Sequence, residues 1–149
     1  MATNFHFRLE RVLRWRAVEL SLEEAKLKRH MDHCARLDAA LAMVKKEIAG
    51  LPARLVSLSG IHGRDLNALA SYAARLAKER EKIEHRRIDA QRELQIQIEV
   101  HRGAKQRSRL LEELRNRKRD EWTTQHNREL EALAQESYLA RWEEQAREV

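Results

Sequence analysis

Proline occurs once in 149 residues and glycine four times, so this chain has little to stop a helix or build a tight turn. Aromatic residues make up 5%, too few to anchor a globular core. A single cysteine, Cys34, rules out an internal disulfide. Long apolar runs are missing too. The longest, Ala39 to Val44, falls far short of the roughly 20 residues that a membrane-spanning helix needs. Arg8, Glu10 and Arg11 interrupt the start, so no secretory apolar region follows Met1. These absences lead to the expectation of a cytoplasmic chain.

What is abundant is charge, 36% of residues, with a mean hydropathy of −0.76. Such a composition reads as disorder when apolar residues are scattered and as a coiled coil when they fall on a stripe. Here they fall on a stripe. Leu13, Leu20, Leu27, Cys34, Leu41, Ile48 and Leu55 recur every seventh residue. A strict heptad keeps one seam turned toward a partner helix. The second seam position holds Leu9, Arg16, Glu23, His30, Leu37, Val44 and Leu51. It is apolar from Leu37 onward and polar at Arg16, Glu23 and His30, where the apolar surface shifts to Val12, Val18, Leu22 and Met31. Packing is therefore expected to be tight toward Leu55 and looser near the N-terminus.

The first helix is expected from about Phe5 to Val56, with Thr3 or Asn4 as its cap and Pro52 as a possible early stop or kink. Ser57, Ser59, Gly60 and Gly63 form the only dense group of breakers and mark the turn, over about 57–64. A second helix, capped by Asp65, is expected over about 65–147, its seam running through Leu69, Leu76, Ile83, Ala90 and Leu94. Beyond Leu114 the seam blurs into a weaker stripe of Trp122, Leu130, Leu133 and Leu139. The fold class that follows is all-α, an antiparallel coiled-coil hairpin with a longer second helix. With Val56 facing Asp65, the first helix runs out opposite roughly Asn116.

Charge is unevenly placed. Arg102 to Arg119 holds eight basic and two acidic residues, a net +6; Asp120 to Val149 holds eight acidic and three basic, a net −5. Antiparallel pairing brings Arg8, Arg11, Arg14 and Arg16 alongside the first of these stretches. One account of that charge is a solvated helix face laced with i,i+4 pairs, such as those expected of Glu24 with Lys28 and Glu113 with Arg117, worth a few tenths of a kcal/mol each. Convergence of both helices' cations at one end also suits a docking surface.

Sites of chemistry are not evident. The chain has neither a Walker-type loop nor a dinucleotide fingerprint. His30, His33 and Cys34 have helical metal-ligand spacing, but Cys34 belongs to the seam and no second ligand pair matches, so no metal site is assigned. Carboxylates on a solvated coiled coil lack the enclosure that shifts pKa values for acid–base work. We expect no catalytic residue and no cofactor. Trp15, Trp122 and Trp142 read either as local packing or as anchors for a partner.

The opening Phe5-His6-Phe7-Arg8-Leu9-Glu10-Arg11-Val12-Leu13-Arg14-Trp15-Arg16 resembles that of the FliJ family of flagellar export proteins, where an F-x-F-x-L-x-x-V-L-x-x-R pattern begins a long amphipathic helix. Arg128-Glu129-Leu130-Glu131-Ala132-Leu133-Ala134 is similar to a second family segment, although Ala132 stands where an acidic pair is favoured. The likeness covers the whole chain in layout and about a dozen residues in pattern.

The resemblance implies a coiled-coil stalk of the type III export apparatus, flagellar or of the injectisome YscO type. Such a protein is cytoplasmic and peripherally associated with the inner-membrane export apparatus. It inserts into and stimulates a hexameric export ATPase, and it also meets the ATPase regulator, the export-gate cytoplasmic domain and substrate-escort chaperones. On that reading the ATPase contact falls to Arg8, Arg11, Arg14, Arg16, Arg115, Arg117, Lys118 and Arg119, and the gate contact to Tyr72 and Leu76. Two other readings compete. A nucleic-acid-binding basic hairpin fits the isoelectric point near 9.8 but not the acidic tail. A generic dimeric coiled-coil scaffold fits the seam.

Overall fold

The computed structural model describes residues 4–57, 60 and 62–147. Two helices account for nearly all of them, α1 (Glu10–Ser57) and α2 (Gly63–Arg147). The fold is all-α, an antiparallel helical hairpin whose second helix is the longer. The chain's internal contacts divide it into two compact units. A turn unit comprises Leu20–Gly103; a terminal unit comprises the chain up to Glu19 and from Ala104 onward.

In the turn unit the heptad spine is the core. Cys34, Leu41 and Leu51 of α1 and Leu76, Ile83 and Ala90 of α2 are buried. Leu41 keeps 5% of its surface and Ile83 5%, so each contributes roughly 1.5–3 kcal/mol of apolar burial. The α2 seam then runs on to the buried Gln97, one heptad beyond Ala90, with Leu94 half-buried beside it in sequence. Antiparallel register is visible in the side-chain pairs. Glu23, His30, Asp38 and Glu47 of α1 meet Gln97, Glu93, Arg87 and Tyr72 of α2, one set ascending as the other descends.

Expected tightness toward Leu55 is not what is found. Leu55 is 38% exposed and Val56 86%, whereas Leu13 keeps only 6%. Leu66, in the first turn of α2, is also exposed. At Glu23 and His30 the polar seam positions are filled by polar partners from α2, so no apolar residue needs to move in. Val12, Val18, Leu22 and Met31 accordingly stay exposed.

Pro52 lies inside α1, one turn from its end, where it removes only the bond to the Ile48 carbonyl. The Ser57 hydroxyl donates to the Arg54 carbonyl at 3.0 Å and closes the last turn. Gly60 takes a φ of +93°, a left-handed conformation that favours glycine. Ser59 of the breaker cluster lies outside the described residues. The His62 carbonyl accepts from the amides of Asp65 (2.9 Å) and Leu66 (3.3 Å). Asp65 is therefore not the cap but a first-turn acid, where its charge suits the helix dipole.

In the terminal unit α1 begins at Glu10, not at Phe5. The Phe7 carbonyl accepts from Glu10 at 3.1 Å and the Leu9 carbonyl from Leu13 at 2.9 Å. Asn4 lies upstream and caps nothing, and Thr3 is outside the described residues. The reason is in the spacing of the two phenylalanines. Residues i and i+2 fall about 200° apart on a helix but on one side of an extended chain. A non-helical start lets Phe7 bury to 7% while Phe5 meets Trp122 of α2, ring centroids 6.2 Å apart. The N-terminal segment thus reaches Trp122, six residues past the expected Asn116.

Candidate docking surface in the terminal unit

Two surface depressions flank the N-terminal segment. One, of about 480 Å³, is lined by Phe5, His6, Phe7, Arg8, Leu9, Leu114 and Lys118. The other, of about 410 Å³, is lined by Phe5, His6, Phe7, Glu10, Arg14, Arg115 and Arg119. Below them Trp122 stacks on His126 with centroids 5.0 Å apart and planes 13° from parallel. Trp122 is thereby a packing residue, while Trp15 (58%) and Trp142 (62%) stay exposed, the former under the Arg16 guanidinium at 4.6 Å.

Carboxylates organise part of the cationic surface. Glu10 lies between Arg115 of α2 (3.7 Å) and Arg14 of α1 (3.8 Å). Glu19 accepts from Arg16 at 2.8 Å and from Arg107 of α2 at 3.4 Å. The Arg16 hydrogen bond, with help from Arg107, holds the Glu19 carboxyl below its usual range against a smaller opposing effect of desolvation. Both acids therefore tie the helices together in charge.

Of the eight basic residues assigned from the sequence, four are thus engaged: Arg14, Arg16, Arg115 and Lys118, the last with Glu121 at 2.8 Å. Arg8, Arg11, Arg117 and Arg119 have no ion pair among the described residues, and all four are exposed. Arg14, Arg115 and Arg119 share one depression; Arg8 and Lys118 share the other. Arg16 stands apart with Glu19 and Arg107, and Arg11 and Arg117 line neither depression. What remains is a set of unneutralised cations, Arg8 and Arg119 beside the apolar, aromatic floor and Arg11 and Arg117 away from it. It can attract a negatively charged partner and hold an apolar side chain.

Tyr72 and Leu76 lie in the turn unit. The Tyr72 hydroxyl donates to Glu47 of α1 at 2.8 Å, and Arg75 sits over its ring at 5.4 Å. Leu76 keeps 8% of its surface and belongs to the seam. Its side chain packs in the hairpin's seam rather than at the surface. Cys34 is buried in the seam, His30 faces Glu93 with Nδ1 3.9 Å away, and His33 is exposed. Among the described residues no cluster of three His, Cys, Asp or Glu side chains is arranged to hold a metal.

Sequence reasoning missed Gln97, Glu10 and Glu19. Gln97 was the next heptad residue after Ala90 and was passed over because it is polar. Glu10 and Glu19 carried a local signal, an arginine four residues later and three residues earlier respectively. Their second arginines come from α2 and needed the register. Comparison of the chain with protein-family models, with curated proteins and with solved structures gives no match.

Proposed function

We infer that this chain is a non-enzymatic stalk of a FliJ-type protein-export apparatus, acting by docking its terminal unit onto a hexameric export ATPase and stimulating it. The observation that carries the reading is the surface just described: Arg8, Arg11, Arg117 and Arg119, drawn from both arms of the hairpin and left without counter-charges. The N-terminal Phe5-to-Arg16 pattern supports the family; the hairpin supports its expected fold. Stimulation follows when the docked cations bind one subunit conformation better than another and so shift the ring's populations.

The same reading makes the protein cytoplasmic, with peripheral association at the inner membrane through its partners. It is compatible with the described helices, none of which is long and apolar enough to cross a membrane. The ATPase regulator and substrate-escort chaperones are its further partners. The contact with the export gate's cytoplasmic domain is placed at Tyr72, with Leu76 holding that turn of α2 in position from within.

The test is stimulation of a hexameric export ATPase by the purified chain. Arg117→Ala with Arg119→Ala is expected to lower stimulation about tenfold at fixed concentration, the scale of a lost charge-complementary contact. Arg16→Ala, which removes a cation already neutralised, is expected to change it little. Undiminished stimulation by the double variant overturns the assignment.

A further inference from the structure

Every residue of α2 from 127 to 147 is exposed, including Leu130 (50%) and Leu133 (58%). A helix of about twenty residues is marginal in water when nothing packs on it. Its sequence nevertheless keeps a heptad. Trp122, His126, Leu130, Leu133, Ser137 and Ala140 follow one another at steps of four, four, three, four and three, which sets them on one face. Trp122 meets Phe5 of the N-terminal segment and stacks on His126. Beyond His126 no described residue covers that face, and it runs on bare within the same unit. Its polar member asks nothing of a partner, since the Ser137 hydroxyl donates to the Leu133 carbonyl at 2.8 Å. Ser137 and Ala140 are small, so a second helix can come close.

Charge says what should cover it. Glu129, Glu136 and Glu143 recur every seventh residue, each one residue ahead of a seam position, so all three line the same flank of this face. None has an ion pair among the described residues; Glu129 accepts a hydrogen bond from Gln125 of its own helix at 3.4 Å. The opposite flank holds Ala134 and Arg141. A second copy fits poorly. Laid antiparallel, it sets like flank against like, glutamate facing glutamate. Laid parallel, it pairs Glu136 with Arg141 and leaves Glu129 facing Ala134. Nucleic acid and anionic lipid are repelled by the same three carboxylates. What satisfies all three is a helix whose own flanking positions carry lysine or arginine.

We propose that residues 129–143 of α2 form a docking surface for a basic amphipathic helix of a partner protein, which packs its apolar seam on Leu130, Leu133 and Ala140 and pairs its cations with Glu129, Glu136 and Glu143. This surface is separate from the cationic one that the ATPase reading uses, and the proposal does not depend on that reading. Together the two surfaces give the terminal unit partners of opposite chemistry.

The probe is a synthetic, fluorescently labelled peptide of about three heptads, with leucine at the seam positions and lysine at the flanking ones. Fluorescence anisotropy follows its binding to the full chain at peptide concentrations where the peptide alone is monomeric. Binding that weakens as salt rises is expected. Glu129→Lys with Glu136→Lys and Glu143→Lys should weaken it about tenfold or more. The same triple variant should instead take a peptide of identical seam with glutamate at the flanks. Leu130→Ser with Leu133→Ser should also weaken binding of the lysine peptide, with circular dichroism showing that the hairpin remains helical. Hydrogen exchange at the amides of residues 130–143 should slow in the complex. A chain that does not bind the lysine peptide overturns the proposal. So does binding indifferent to the leucines, which would be bare charge attraction, or to the glutamates. Sedimentation of the chain alone that shows a dimer abolished by Leu130→Ser with Leu133→Ser would give the face to a second copy and overturn it too.

Discussion

The side-chain amide of Gln97 donates to the Glu23 carboxylate at 2.6 Å and to the Glu23 backbone carbonyl at 3.3 Å, bridging α2 and α1 across the seam. A polar residue at one seam position fixes register at some cost in stability. Gln97→Leu alone removes its hydrogen bonds to the half-buried Glu23 and should cost about 1–3 kcal/mol. Replacing both residues by Leu should give a hairpin at least as stable as the parent. Urea midpoints of the three proteins decide it; a single variant more stable than the parent would contradict the role.

Leu41 and Leu55 occupy equivalent heptad positions and differ in burial, 5% against 38% exposed. Leu41→Ala should therefore cost about 2–5 kcal/mol, toward the lower end in a two-helix structure. Leu55→Ala should cost about 1 kcal/mol or less, because much of that side chain is already in water. Equal losses in chemical denaturation would contradict the burial pattern.

The contact between Phe5 and Trp122 holds the non-helical N-terminal segment to α2. A double-mutant cycle, Phe5→Ala and Trp122→Ala, should return a coupling of about 0.5–1.5 kcal/mol. Hydrogen exchange at the Glu10 and Leu13 amides should quicken in either single variant. Unchanged exchange there would mean that the segment is held by Phe7 alone.

Glu19 gives a pH dependence with a definite sign. Its pKa is lowered in the folded chain, first by the Arg16 hydrogen bond. A depressed carboxylate stabilises the fold above its unfolded pKa, and that contribution is lost as pH falls through the folded value. Carboxyl NMR titration should place Glu19 below its ordinary value of 4.5. Arg16→Ala should move it back up. A Glu19 titration that ignores Arg16→Ala would contradict the pairing.

Much of this architecture is carried by residues adjacent in pattern. The spine from Leu13 to Ile48, the breakers at Gly60 and Gly63 and the continuation through Leu76, Ile83 and Ala90 are each local signals, and they suffice for two helices and a turn. What escaped depends on the partner helix. Phe5 and Phe7 read as helix because their neighbours do, yet their alternation serves burial against Trp122. Gln97 reads as surface, yet Glu23 needs it. In the docking surface, the basic residues could be named in advance and three of their four counter-charges are local, but the pairing of Arg115 with Glu10 depends on the register across the hairpin. Leu76 is held in the seam by its heptad position.

The most direct measurement is the distance between spin labels placed at Arg14 and Lys105, with labelled chain diluted in unlabelled chain so that only pairs within one molecule are read. Helices packed antiparallel about 8–10 Å apart, with a rise of about 1.5 Å per residue, place these sites about 15–25 Å from each other. A distribution in that range is the expected result. One centred beyond about 50 Å would mean that the chain does not fold back on itself, and neither the seam nor the shared cationic surface would survive.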